Sequence, residues 1–258
     1  MTDWNGFQGA AKRLDDVDLP RIASKIGCGE DELHAFMDVE ASGSGFDKKG
    51  RPKMLFEPHV FYRNLPVSKR DEAVRAGLAY KAWEPGNYPA DSYPRLIKAM
   101  AIDETAALKA ASWGLGQILG ENHKMVGFAT PHQMVRAFME DEEKHLEAIV
   151  AFLIEAGIAD DLKAHRWAVV ARVYNGPQYA KHNYHGRMAL AYAKWSKIKD
   201  TPWTPGMDAV IVATLPEPPD RHEEPPEQMG QPGPEPAPQP ASAGFFMRAI
   251  RALFSWLK

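Results

Sequence analysis

The chain of 258 residues has a single cysteine, Cys28, which excludes an internal disulfide and any zinc cage built from thiolates. No run approaches the roughly 18 consecutive apolar residues of a conventional transmembrane helix. Charge of one sign is also missing. A formal net charge of −3 provides no broad basic field, so composition does not point to a nucleic-acid binder. The opening stretch, MTDWNGFQGAAKRLDDVDLP, has no apolar core of the kind a secretion signal needs and carries several acids, so accumulation in the cytoplasm is expected. Histidines are present, but the stretches HRW, KHNYH and GENH lack the paired spacing of a zinc helix. Neither a metal nor a cofactor is expected.

What remains is ordinary globular material with one abrupt change of composition. Hydrophobic content of 45% and charged content of 25% suit a soluble domain. Residues 215–240, LPEPPDRHEEPPEQMGQPGPEPAPQP, are dominated by proline and acids and cannot bury a core; they read as an extended spacer. This divides the chain into an N-terminal extension at 1–17, a body at 18–214, the Pro-rich acidic linker at 215–240 and a C-terminal element at 241–258.

The body reads as mainly helical. Asp18 with Pro20 opens a helix that Gly27 ends, and a second runs from about Asp31 to Glu40. Asp103 opens ETAALKAASW, with Gly114 closing it. Thr130, Pro131 and Gln133 form a capping-box start for one long helical stretch to Gly157. Asp160 begins another helix toward Val173, and GRMALAYAKWSKI forms the last. Between residues 45 and 62, Gly50, Pro52 and KMLFE predict a small β-hairpin. Trp113, Trp167 and Trp195 read as core.

One carboxylate stands out. Leu33, Phe36, Met37 and Glu40 fall at i, i+3, i+4 and i+7, which places Glu40 on the inward stripe at the C-terminal end of its helix. Burial and the negative end of the helix dipole would both raise its pKa, as a general acid requires. The periodicity is equally compatible with a polar terminus fraying into solvent, and the small residues in VEASGSGF are good loop formers.

Two further glycine-rich helix ends bear on that choice: SWGLGQILG at 112–120 and ARVYNGPQYA at 171–180. Taken in order with VEASGSG, they resemble the lysozyme superfamily, including goose-type lysozymes and soluble lytic transglycosylases. The matching positions are Glu40 with Ser42, Gly114-Leu115-Gly116-Gln117-Ile118, and Tyr174-Asn175. The spacing, GRPKMLFEPHVFYR and YPRL sharpen this to a resemblance to the N-acetylmuramidase domain of bacteriophage and prophage endolysins, over residues 18–200. The resemblance implies a mainly α, lysozyme-like fold and cleavage of the β-1,4 bond between N-acetylmuramic acid and N-acetylglucosamine in peptidoglycan. Glu40 would be the general acid.

For the second carboxylate, the resemblance favours Glu57 in LFEPH, expected on the β element facing the cleft, over Asp47. The alternative for Glu57 is a structural carboxylate bonded to backbone or to Arg51. Gln117 and Asn175 look like the cleft amides of the superfamily, suited to sugar hydroxyls and N-acetyl groups, and Tyr174 would pack beneath Glu40 or fix its orientation; each could instead satisfy backbone groups at its own turn. Ser42 falls in the small-residue turn that follows the acid. His59, Tyr62, His123 and Tyr184 are further cleft candidates. A monomer is expected.

The C-terminal element, ASAGFFMRAIRALFSWLK, has a different chemistry. On a helix, Arg248, Arg251, Ser255 and Lys258 share a narrow stripe, while Phe245, Phe246, Met247, Ile250, Leu253, Phe254, Trp256 and Leu257 fill the rest. Such a helix of about 21–24 Å is short of a roughly 30 Å hydrocarbon core and suits a membrane interface rich in anionic lipid. It could instead dock on the body or on another copy. A phage endolysin of a Gram-negative host, acting in the periplasm after release from the cytoplasm, accounts for all these features. The rivals are a lytic transglycosylase, in which Glu40 serves as acid and then base, and a non-catalytic wall-binding, membrane-active module.

Overall fold

The computed structural model describes residues 3–41, 43–83 and 88–206, so Ser42, the linker and the C-terminal element lie outside the described residues. Along the chain run α1 (Asp18–Ser24), α2 (Glu30–Glu40), β1 (Met54–Phe56), α3 (Pro58–Asn64), α4 (Val67–Arg75), α5 (Tyr93–Ile102), α6 (Glu104–Lys109), β2 (Ala111–Trp113) and β3 (Ile118–Leu119). They are followed by α7 (Pro131–Glu140), α8 (Glu142–Glu155), α9 (Ala159–Lys163), α10 (Trp167–Asn175) and α11 (Tyr184–Trp195). The domain is mainly helical with a small sheet, as expected, but α1 stops three residues short of Gly27, at Ser24.

The β element is not the local hairpin predicted at 45–62. Residues 46 and 52 make only an isolated antiparallel bridge. The strand in KMLFE pairs instead with β2, Met54 opposite Trp113 and Phe56 opposite Ala111, in an antiparallel sheet of order β1-β2-β3. This pairing also corrects the helix expected through ETAALKAASW. Asp103 caps α6 as expected, its side chain accepting from the Ala106 N–H. The helix nevertheless ends at Lys109, because the next residues are taken into the sheet with all three side chains buried.

Two other predicted helices are broken by tertiary contacts. Thr130 caps α7 through the Gln133 N–H at 3.1 Å. The long stretch then breaks at Asp141, whose backbone is extended. There the N-terminal segment inserts itself: Lys12 N–H donates to the Glu140 carbonyl at 2.9 Å, and Glu142 N–H donates to the Lys12 carbonyl at 2.9 Å. Likewise the helix expected from Asp160 to Val173 splits into α9 and α10 at His165, which holds a left-handed φ of 54°. The His165 ring is 2.7 Å from Glu32 and lies against Trp167 and Tyr192.

The N-terminal extension packs onto the body. Trp4 and Phe7 are buried in the same core as Trp113, with Phe7 5.8 Å from Trp113 and 5.1 Å from Tyr93 between ring centroids. Trp113 is fully buried, and its indole N–H donates to the Leu108 carbonyl at 3.1 Å. Large aromatic groups packed this way dominate core energetics. Trp167 and Trp195 are only half-buried. Trp195 fastens α11 along α2, stacking on His34 at 3.8 Å and donating to Asp38 at 2.9 Å. That seam sets the end of α2 beside α11, and so positions Glu40.

Candidate active site

Glu40 is the last residue of α2 and is 1% exposed. The Asn175 side-chain amide, at the last position of α10, donates to its Oε1, while its buried Oε2 has no hydrogen-bond partner. Burial pushes the carboxyl up to about 7, against the opposing pull of the Asn175 hydrogen bond and the positive charge of Arg187 on α11. Position at a helix C-terminus adds to the cost of the charged form. The inward stripe on α2 therefore buries Glu40 fully rather than letting it fray into solvent.

A closed circuit of hydrogen bonds runs from the loop after Glu40 back to Asn175. Lys53 N–H donates to the Gly45 carbonyl at 2.7 Å, and Gly114 N–H donates to the Lys53 carbonyl at 2.8 Å. Gly114 opens the β2–β3 turn with a φ of +70°, a conformation that costs a residue with a Cβ. Within this turn, the Gln117 side-chain amide donates to the Gly114 carbonyl at 2.8 Å and to the Lys53 carbonyl at 3.4 Å. The Tyr174 hydroxyl then donates to the Gly116 carbonyl at 3.1 Å, and the next residue is Asn175. The three motifs of the sequence thus close on one another. Tyr174 acts on the turn rather than on Glu40 directly; its ring stands edge-on to Phe36 of α2 at 4.9 Å. Burial, reinforced by the proximity of Glu40, keeps its hydroxyl protonated.

Glu57 lies one residue beyond β1, at the cap of α3, and is fully buried. It is therefore not a strand residue facing a cleft. Its Oε2 accepts from the Tyr88 hydroxyl at 2.7 Å and lies 3.1 Å from His59 Nδ1, and its buried Oε1 has no hydrogen-bond partner. Trp83 extends the chain by donating to the Tyr88 hydroxyl at 2.9 Å. Arg51 is engaged elsewhere, by Asp47 and Asp91. Asp47 is committed to its turn, with one oxygen accepting from the backbone of Lys49 and Arg51 and the other from the Arg51 side chain.

Of the remaining candidates, His59 is buried beside Glu57, and Tyr62 carries the Arg70 guanidinium over its ring at 4.9 Å. His123 donates from Nδ1 to the Gly120 carbonyl at 2.9 Å, and burial holds its pKa below the usual histidine range. Tyr184 is buried, its hydroxyl raised by burial and by the nearby Glu40, with Arg187 over its ring. Sequence reasoning passed over Tyr88, Arg187, Glu142 and His145. The last two carried a usable signal: they are polar residues on the apolar stripe of a helix.

The order of these parts is that of a known family. A family model described as N-acetylmuramidase matches residues 30–196, from the first residue of α2 to the residue after α11. The chain belongs to the N-acetylmuramidase family. This muramidase is a peptidoglycan glycosidase with a lysozyme-like fold. It is similar to the crystal structure of a Burkholderia AP3 phage endolysin, with 32% identity over 72% of this chain and 73% of that chain and a TM-score of 0.68. No match was found among curated proteins. Among the described residues, no helix of the muramidase is long and apolar enough to cross a membrane.

Proposed function

We propose that the muramidase is a phage-type endolysin that cleaves the β-1,4 bond between N-acetylmuramic acid and N-acetylglucosamine, with Glu40 as the general acid. The observation that carries this reading is the state of Glu40: buried, held at one oxygen by Asn175, unpartnered at the other, and poised at about 7. A protonated carboxyl with one oxygen free of protein partners can give its proton to a glycosidic oxygen as the sugar acquires oxocarbenium character. Asn175 orients the acid; the Gln117 amide N–H groups are committed to the Gly114 and Lys53 carbonyls, so Gln117 meets sugar hydroxyls through its side-chain carbonyl oxygen. Ser42, two residues after the acid in sequence, is assigned a substrate contact. Tyr174 keeps the 114–117 turn in place.

Glu57 is the better of the two candidates for the second carboxylate, because one of its oxygens is free of protein partners whereas Asp47 is fully engaged. His59 and Tyr88 orient it. Tyr62 contributes to the wall on the same side. Residues 241–258 are read as an amphipathic helix that meets anionic lipid through Phe245, Phe246, Ile250, Phe254 and Trp256, with Arg248, Arg251 and Lys258 toward headgroups. The enzyme is made in the host cytoplasm and acts, as a monomer, on the periplasmic wall after release.

The deciding experiment is digestion of purified peptidoglycan followed by mass analysis of the glycan ends. Reducing muramic ends, lost in Glu40→Gln, are expected. Terminal 1,6-anhydro sugars would overturn hydrolysis in favour of transglycosylation, and full cleavage by Glu40→Gln would remove Glu40 as the acid. Removal of residues 241–258 is expected to spare cleavage of purified walls and to weaken action on intact cells.

A further inference from the structure

The circuit that joins Glu40 to Asn175 is underlain by one helix. Glu142, His145, Ile149 and Phe152 fall at i, i+3, i+7 and i+10 on α8, one face of a helix. Each meets a different part of the circuit. Phe152 stands edge-on to Tyr174 at 5.4 Å, and Ile149 seats Gly116. The two polar members hold the turns themselves.

Glu142, 1% exposed, receives four donors. Its Oε1 accepts from the Gly45 N–H and from the Ser44 hydroxyl at 3.3 Å. Its Oε2 accepts from Arg13 Nε at 2.7 Å and from the Leu14 N–H at 3.3 Å. The loop that follows Glu40 is thereby tied to α8 and to the N-terminal segment together. His145, fully buried, accepts from the Leu115 N–H through Nδ1 at 3.1 Å and donates through Nε2 to the Phe138 carbonyl at 2.7 Å. Those two bonds require the neutral ring with its proton on Nε2. The ring also approaches the backbone closely: a Cβ at Gly45 would lie 2.2 Å from Nδ1, and one at Gly114 would lie 2.7 Å from it.

We propose that Glu142 and His145 are positioning residues for glycan cleavage: from one face of α8 they hold the turns at 43–46 and 114–117 in the register that brings Glu40 against Asn175. Neither touches the reacting bond, and the assignment rests on Glu40 acting as the acid. A loosened circuit would admit water to Glu40 and return its pKa toward the ordinary carboxylate range. The acid would then lose its proton at lower pH, and the alkaline limb of the rate profile would move acidward. Arg187, Asn175, Tyr174 and Tyr184 are the groups facing Glu40, and all remain in place in the variants below.

The test measures kcat, KM and the pH–rate profile of the full chain on soluble peptidoglycan glycan fragments, together with the folded fraction by circular dichroism. It compares Glu142→Gln, Glu142→Asp, His145→Gln and Glu40→Gln. The two Gln replacements at 142 and 145 are expected to lower kcat tenfold or more per folded molecule. KM should stay within about twofold, and the alkaline limb should shift acidward. Glu142→Asp should recover part of the rate. His145 is neutral, so a shift shared by both variants separates positioning from the removal of a charge. Ser44→Ala, which takes one donor from Glu142 without entering the core, is expected to give a two- to threefold loss in the same direction if the buried variants do not fold. An unchanged pH profile, with rate lost only in proportion to unfolded protein, would overturn the proposal while leaving Glu40 as the acid. Full cleavage by Glu40→Gln would overturn both.

Discussion

Two glutamates of this protein are equally buried, each 1% exposed, and their surroundings are opposite. Glu40 sits at the C-terminal end of α2, with one donor and one orphaned oxygen, and burial raises it to about 7. Glu142 sits in the first turn of α8. Burial pushes it upward too, but the Gly45 N–H, Arg13 and the Leu14 N–H outweigh that and hold it below the usual carboxylate range. A helix N-terminus favours an anion where a C-terminus repels one. Burial by itself therefore assigns no role. The helix end and the number of donors decide whether a carboxyl keeps a proton to give away or becomes a permanent anion that organises its neighbours.

That contrast can be broken at several points. The largest effect is expected from Glu40→Gln, which should reduce glycan cleavage by about a hundredfold to ten-thousandfold, the contribution of a positioned general acid. Measured turnover within tenfold of the natural enzyme would contradict the assignment. The same variant should be more stable than the natural protein in alkaline buffer. A folded pKa raised above the ordinary value favours the protonated fold, so the carboxyl's relative stabilisation is complete below about pH 4 and lost as pH rises through about 7. Replacing it removes a penalty on the order of 3 kcal/mol at pH 8 and almost none at pH 4. Thermal melts at the two pH values check this.

Glu142→Ala is expected to behave inversely. It leaves the Arg13 side chain and the Gly45 and Leu14 amides without their buried acceptor, at a cost of about 2–4 kcal/mol near neutrality. The folded pKa is depressed, so that contribution is present above the ordinary carboxylate range and fades as acid protonates the group. The gap between variant and natural protein should therefore narrow in acid, in denaturant titrations at pH 7 and pH 3.

Asn175→Ala should lower kcat by about tenfold to a hundredfold through loss of orientation. It should also move the alkaline limb upward, because the amide hydrogen bond currently lowers the Glu40 pKa. The smallest effect is expected from Arg187→Gln. Its side chain is exposed and its attraction for the Glu40 carboxylate is screened, so the limb should rise only slightly and the shift should shrink in high salt. A downward shift in either variant would contradict the balance of charges around Glu40.

The sequence signals hold where the interaction is local. Asp103 and Thr130 cap helices as their hydroxyl and carboxyl chemistry predicts, and the stripe at Leu33, Phe36 and Glu40 does face inward. The failures share one cause. The helix through 130–157 breaks because Lys12 takes the backbone groups around Asp141, and ASW becomes strand because Met54–Phe56 pairs with it. Neither partner lies within a helical turn of the segment it changes. Glu57 carried a recognisable motif, yet nothing around it in sequence announced Tyr88 and its hydrogen bond across the fold.

The sequence by itself determined where α1, α6 and α7 begin and which face of α2 turns inward, because capping and periodicity act over a few residues; the three motifs in family order were legible only as a resemblance. Tertiary structure decided that Asn175, 135 residues away, completes Glu40, and that α8 lies beneath both glycine turns. It also decided the ionisation of two glutamates that composition cannot tell apart. A pKa depends on solvent, dipoles and donors supplied from distant segments, and those are assembled only when the chain has packed.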